Sequence, residues 1–174
     1  MAFFRTPNPL RPAHLPLAGL LALPLALVGC SGDDEAADRP VYVALGASDA
    51  VGIGAARPAE EGWVPLVHDG LAGETRLLNL GISGATLDEI IASELPVLAD
   101  VNPTLITLWP GVNDLRAGVT LEAFRARLNE ILTTLNERED TIIIVLNIPD
   151  LRYLPAFSSA NPDALDATVR DWNM

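Results

Sequence analysis

From Val41 onward, short apolar runs alternate with stretches in which apolar residues recur every three or four positions, the signature of a parallel sheet with helices on its faces. The runs predict strands at Val41–Leu45, Arg76–Leu80, Leu105–Trp109 and Thr141–Leu146, the last so rich in β-branched residues that it reads as a central strand. Helical spacing places Trp63, Leu66, Val67 and Leu71 on one side of a segment over 62–71. Thr86-Leu87-Asp88-Glu89 fits a capping box, and Leu87, Ile90, Ile91, Leu95 and Leu98 supply the core stripe of the helix it opens, which Pro96 should bend or interrupt. Leu121, Phe124, Leu128, Ile131, Leu132 and Leu135 mark an amphipathic helix of about four turns capped by Thr120. Pro162 opens another, with Leu165, Val169 and Trp172 on one face, and the pattern is still running at Met174.

Between the last two elements, residues 147–162 are rich in Pro, Asn and Ser and carry Leu151, Tyr153, Leu154 and Phe157. A loop at the C-terminal edge of an open α/β sheet commonly builds a binding site, so these residues are expected to line an acyl or sugar pocket.

The first 29 residues follow a different rule. Arg5 and Arg11 lie in a basic leader, and the apolar run from Leu17 to Val28 is shorter than the roughly 20 residues a membrane span needs, so 1–29 reads as a secretory signal. Cys30, the one cysteine, stands directly behind Leu27-Val28-Gly29, in a pattern that resembles the lipobox of bacterial lipoproteins. Lipidation there would account for its position and for the lack of a disulfide partner. Residues 30–39 are small and acidic and suit a solvated tether, which leaves 40–174 as a single domain.

Charge narrows the partners. All 23 acidic residues but only nine of the 11 basic ones lie beyond Cys30, giving that part a net charge of −14. Such a surface is repelled by nucleic acid and by anionic headgroups, so membrane attachment is expected to come from the lipid on Cys30 alone. No His/Cys cluster suggests a metal, and no cofactor is expected.

Three short blocks carry the candidate chemistry. Gly46-Ala47-Ser48-Asp49 follows the first strand, Asn79-Leu80-Gly81-Ile82-Ser83-Gly84 the second, and Gly111-Val112-Asn113-Asp114 the third. Ser48 offers a nucleophile near a helix start, Gly84 a backbone amide free of side-chain hindrance, and Asn113 an amide donor for an oxyanion. Each alone is equally explained by a strand-ending turn, which favours Gly, Ser, Asn and Asp. In combination they fall beyond the C-terminal ends of successive parallel strands, where groups 36 and 29 positions apart can converge.

These ordered blocks resemble those of the SGNH (GDSL-type) hydrolase superfamily over about Val41 to Leu146. The resemblance implies a flavodoxin-like three-layer α/β/α sandwich and ester hydrolysis through an acyl-enzyme. It assigns Ser48 as nucleophile and the Ser48 amide, Gly84 amide and Asn113 side chain as oxyanion donors. Two departures stand out: Ala47 replaces the usual Asp of the first block, and no Asp-x-x-His block follows to supply base and orienting acid. The only histidines are His14 and His68. His68, off the apolar stripe and beside Asp69, reads as an exposed surface residue, and Asp150 as a cap or turn residue. The expectation is therefore a sheet incomplete at the C-terminus, an exposed apolar face and an impaired enzyme. Substrates would be short acyl esters, acetylated glycans or lysophospholipids. The rival readings are a non-catalytic lipoprotein that binds an ester or glycan, and a nucleotide binder. Neither Gly-rich turn completes a dinucleotide or phosphate-loop pattern.

Overall fold

The structure, a computed structural model, describes residues 39–71 and 73–174. The expected signal over 1–29, the lipid site at Cys30 and tether residues 31–38 lie outside the described residues.

Four strands, β1 (Val41–Gly46), β2 (Arg76–Asn79), β3 (Leu105–Trp109) and β4 (Ile142–Val145), form one sheet in the order β2-β1-β3-β4, every neighbouring pair parallel. The chain crosses from β1 to β2 on one side and then returns past β1 to β3. The strand order therefore reverses at β1, the flavodoxin-type switch point where loops after adjacent strands part and leave a crevice. Registers of Ala44 with Asn79 and Gly46 with Trp109 put the ends of β1, β2 and β3 on one rim.

The helices are α1 (Ser48–Val51), α2 (Pro58–Glu61), α3 (Trp63–Gly70), α4 (Leu87–Glu89), α5 (Val112–Arg116), α6 (Leu121–Asn136) and α7 (Pro162–Trp172). All six residues of β1 are buried, as a strand covered on both faces requires. Val41, Val43 and Leu45 join Leu87, Phe124, Ile131, Leu135, Leu165 and Val169 in the larger core; Tyr42 and Ala44 meet Ala50, Val64 and part of Trp63 on the other face. This makes the expected three layers. Trp172 of α7 stacks on Phe124 of α6 with ring centroids 4.4 Å apart.

Local signals explain the helix starts. The Thr120 hydroxyl oxygen accepts from Ala123 N–H, and Asn161 Oδ1 accepts from Asp163 and Ala164 N–H ahead of Pro162. The capping box forms at α4, with Thr86 N–H donating to Glu89 at 2.8 Å. Beyond Glu89 the helix changes its winding: Ile90–Glu94 is a π turn and Leu95–Asp100 a 3₁₀ helix, the interruption expected of Pro96, which has no N–H to donate.

Three expectations are corrected. On α3 the fully buried residue is Val64, while Leu66 and Val67 are exposed, because only the edge of the helix carrying Trp63, Val64 and Leu71 meets Tyr42 and Leu77. β4 is an edge strand rather than a central one, paired with β3 alone among the described strands. At the end of α7, Asn173 trades two 2.9 Å hydrogen bonds with the backbone of Ile148, which ties the helix to the segment after β4. Of the loop residues, Leu151 and Phe157 belong to the core and Tyr153 is in solvent, which leaves Leu154 facing the rim.

The expected apolar face is present on β4. Ile142 is 65% and Ile144 47% exposed, both registered with β3 residues on the thinly covered side. An exposed edge of this kind templates strand pairing between copies. Replacing Ile142 and Ile144 by Thr keeps strand propensity, and we expect the double variant to stay monodisperse in light scattering at concentrations where the parent aggregates, with little change in melting temperature. Equal aggregation would exclude this edge as its source.

Candidate active site

Ser48 is the first residue of α1, immediately past β1 and half-buried. Its turn is fixed by backbone bonds on both sides. Gly46 N–H donates to Glu94 Oε2 at 3.0 Å, Ala47 N–H to Asp49 Oδ1 at 3.2 Å, and Ile53 N–H to the Ser48 carbonyl at 2.8 Å. Asp49 thus supports the turn from the residue after the serine, in a block whose preceding residue is Ala47. The Ser48 hydroxyl and amide have no hydrogen-bond partner among the described residues.

The second block is clipped to the first. Asn79 Nδ2 donates to the Ala50 carbonyl at 2.6 Å while its Oδ1 accepts from Gly81 N–H at 3.1 Å, and Ile82 N–H reaches the Gly46 carbonyl at 3.1 Å. A side chain at Gly81 would put its Cβ 2.7 Å from Ala50 Cβ and 3.1 Å from the Ala47 carbonyl, so glycine is what lets this loop lie against the serine turn.

The third block is clipped to the second. Gly111 takes φ +104° as the N-cap of α5, a conformation that suits glycine and turns the chain back over the rim. Asn113 Nδ2 then donates to the Ala85 carbonyl at 2.9 Å, and buried Asp114 accepts from Leu87 N–H at 3.1 Å. An amide NH₂ has two hydrogens, so the Ala85 bond orients Asn113 and leaves one hydrogen for a ligand.

Ser48 and Asn113 line one cleft of about 280 Å³, together with Asp49, Ala85 and Gly111 and the apolar Ile53, Ile90, Trp109, Pro149 and Leu154. Trp109 is held there by its Nε1–H, which donates to the Asn147 carbonyl at 3.0 Å, and by an edge contact with Trp63 at 5.5 Å. Gly84 is not part of this lining. It sits exposed beside Ala85 at φ +90°, with an amide that has no partner among the described residues.

His68, the one histidine among the described residues, is outside the cleft. It is half-buried rather than exposed, because its Nε2 bonds to the Thr75 carbonyl at 2.7 Å and ties α3 to the approach of β2. Asp150 accepts from Arg152 N–H and pairs with its guanidinium at 2.7 Å, which holds the carboxyl down at about 2: a turn residue, as expected.

Sequence reasoning missed Glu94. It is 1% exposed; desolvation, with the Asp49 carboxylate as a lesser cause, pushes its carboxyl up to about 7, against the Gly46 hydrogen bond that favours the anion. Desolvation also raises Asp49 and Asp114. A signal existed, since residue 94 lies at helical spacing in the middle of the stripe formed by Leu87, Ile90, Ile91 and Leu98. Raised acids favour the folded state when protonated. Stability is full below the unfolded value near 4.5 and falls as pH climbs to about 7. A cost of order 2 kcal/mol should lower the melting temperature by about 4–8 °C between pH 5 and pH 8, and Glu94→Gln should flatten that slope. A parallel slope in the variant would remove Glu94 as its cause.

Comparison with curated protein sequences finds no match. Solved structures share the fold: one described as TesA (25% identity, covering 75% of this chain and 74% of that one, TM-score 0.57), an extracellular lipase from Streptomyces rimosus (20%, 76% and 72%, 0.56) and Axe2, an acetylxylan esterase from Geobacillus stearothermophilus (20%, 76% and 69%, 0.53). Residues 44–174 match the sequence profile described as GDSL-like Lipase/Acylhydrolase family, a span that contains all three blocks of the rim. The chain belongs to the GDSL-like lipase/acylhydrolase family, and its enzymatic class is that of an SGNH-type ester hydrolase.

Proposed function

We propose that this ester hydrolase works through Ser48, whose hydroxyl attacks the acyl carbonyl while the Ser48 amide and the Asn113 side chain in the cleft, joined by the Gly84 amide beside the lining residue Ala85, hold the oxyanion. The observation that carries the reading is the cleft itself: Ser48 and Asn113, 65 positions apart, line one apolar-walled hollow. Its size and its Ile53, Ile90 and Leu154 walls favour a short acyl group, as in simple short-chain esters or acetylated glycans, over the long chain of a lysophospholipid. Among the described residues no histidine lines the cleft, which supports reading residues 1–174 as an impaired catalyst. The oxyanion donors and binding alone leave ~10³–10⁴ over the uncatalysed rate. Export and a lipid on Cys30 complete the proposal, placing the domain on an acidic tether at a membrane of the bacterial envelope.

Incubation with p-nitrophenyl acetate followed by peptide mass analysis tests the chemistry. One acetyl group on the peptide that contains Ser48 is expected, forming faster than the palmitoyl adduct from p-nitrophenyl palmitate. An acetyl group elsewhere, or none, overturns it and favours the reading in which the same cleft only binds an ester or glycan, a reading that the free Ser48 hydroxyl also suits. Incorporation of an alkyne-tagged palmitate in a bacterial host, lost in Cys30→Ser, tests the anchor.

A further inference from the structure

Two carboxyl groups converge beneath the serine turn with nothing positive between them. Glu94 Oε2 accepts from Gly46 N–H, two residues before Ser48, and its Oε1 is buried without a partner among the described residues. Asp49, one residue after Ser48, accepts from Ala47 N–H through Oδ1, and its Oδ2 is likewise buried and unpartnered. A buried carboxylate oxygen left without a donor is costly, so each such pair is normally relieved by a proton or a cation. The backbone is shaped to bring Glu94 there. The π turn over Ile90–Glu94 stacks Ile90 and Glu94 on the inner face of its helix, one against the cleft wall and the other against β1. Single π turns of this kind often mark functional positions.

Resting on the reading of Ser48 as nucleophile, we propose that Glu94 is a positioning residue for it: acting through the Gly46 amide and against the Asp49 carboxylate, a neutral Glu94 holds the turn that presents the hydroxyl, and its ionisation loosens that turn. The elements packed against Glu94 offer few other charges. Asp88, Glu89 and Asp100 on its own helix are exposed, and β1 and the loop after β2 contribute backbone amides, so Asp49 is the charge that bears on it. Two like charges beside one turn repel, whereas a proton on Glu94 removes one of them. The rise of Glu94 to about 7 places the change within the working range of an extracytoplasmic protein.

Two readouts on the full chain separate this from the proposal it rests on. The first is hydrogen exchange of peptides spanning Gly46–Val51, corrected for the intrinsic pH dependence, for the parent, Glu94→Gln, Asp49→Asn and Glu94→Ala. Protection in the parent is expected to fall about tenfold from pH 5.5 to pH 8.5, to stay level in Glu94→Gln and Asp49→Asn, and to be low at both pH values in Glu94→Ala. The second is the rate of Ser48 modification by a fluorophosphonate, whose ratio between parent and Glu94→Gln should drop by a similar factor over the same range. Exchange that is equal in all four proteins and independent of pH overturns the proposal, whatever the serine does. Labelling that persists in Ser48→Ala overturns the nucleophile instead, while exchange still decides the role of Glu94. Should Glu94→Ala not fold, the isosteric Gln and Asn variants decide alone.

Discussion

Ser48→Ala is expected to erase the covalent acyl and phosphonyl adducts completely while lowering steady-state hydrolysis of p-nitrophenyl acetate by less than about tenfold. The two effects separate because serine and imidazole act as a unit: where one is missing, removing the other costs little more. If, as proposed, no histidine serves Ser48, much of the acceleration that serine can supply is absent, and what remains comes from the oxyanion donors and the apolar walls. Those survive the substitution, since Ser48 contributes its backbone amide to the rim and an alanine in its place keeps that amide. Intact mass and burst amplitude therefore test the nucleophile, and turnover alone does not. A full adduct in the alanine variant would move the reacting group to another residue. A drop in turnover of several thousandfold would mean that Ser48 has a working base after all, and would require a group outside the described residues to reach the cleft.

What could be read from the amino acids and what could not divides along physical lines. Elements whose signals are local came through: the Thr120 cap, the helix start at Pro162, the Thr86–Glu89 box and the apolar period of Leu121–Leu135 all refer to partners within one or two turns. The parallel sheet with helices on its faces was legible too, because alternating strand and helix leaves few topologies, whereas the place of β4 at the end of the described sheet was not. Burial was less legible. Val64 and Val67 stand on adjoining parts of the same helix face, and which one is covered depends on how far α3 overlaps Tyr42 and Leu77. Leu151, Leu154 and Phe157 look alike in a Pro-rich loop, yet the 3₁₀ turn at Pro155–Phe157 sends two into the core and leaves one at the cleft. Glu94 was passed over because an acid in a helix is by default a solvated one. Its place among Leu87, Ile90 and Leu98 was visible, and only the Gly46 amide and Asp49, far away in the chain, explain it.

The same long-range clipping makes Asn113 the residue whose loss should cost most in rate. Asn113→Ala is expected to lower both adduct formation and turnover by about 10²–10³-fold, with KM changed little, because an oxyanion donor acts on charge that exists only near the transition state. The Ala85 bond holds Asn113 in place. It fixes the amide before substrate arrives, so no reorganisation is needed as the oxyanion forms, and its removal costs about 1 kcal/mol of stability, too little to unfold the domain. Asn113→Asp is the sharper control: it retains a similar shape, supplies an acceptor in place of the donor and adds a negative charge where one develops, so it should be slower than alanine. An Asp variant as fast as the parent, or an Ala variant within about threefold of it, would show that the Asn113 amide faces Ala85 alone and that the oxyanion is held by backbone groups of the rim.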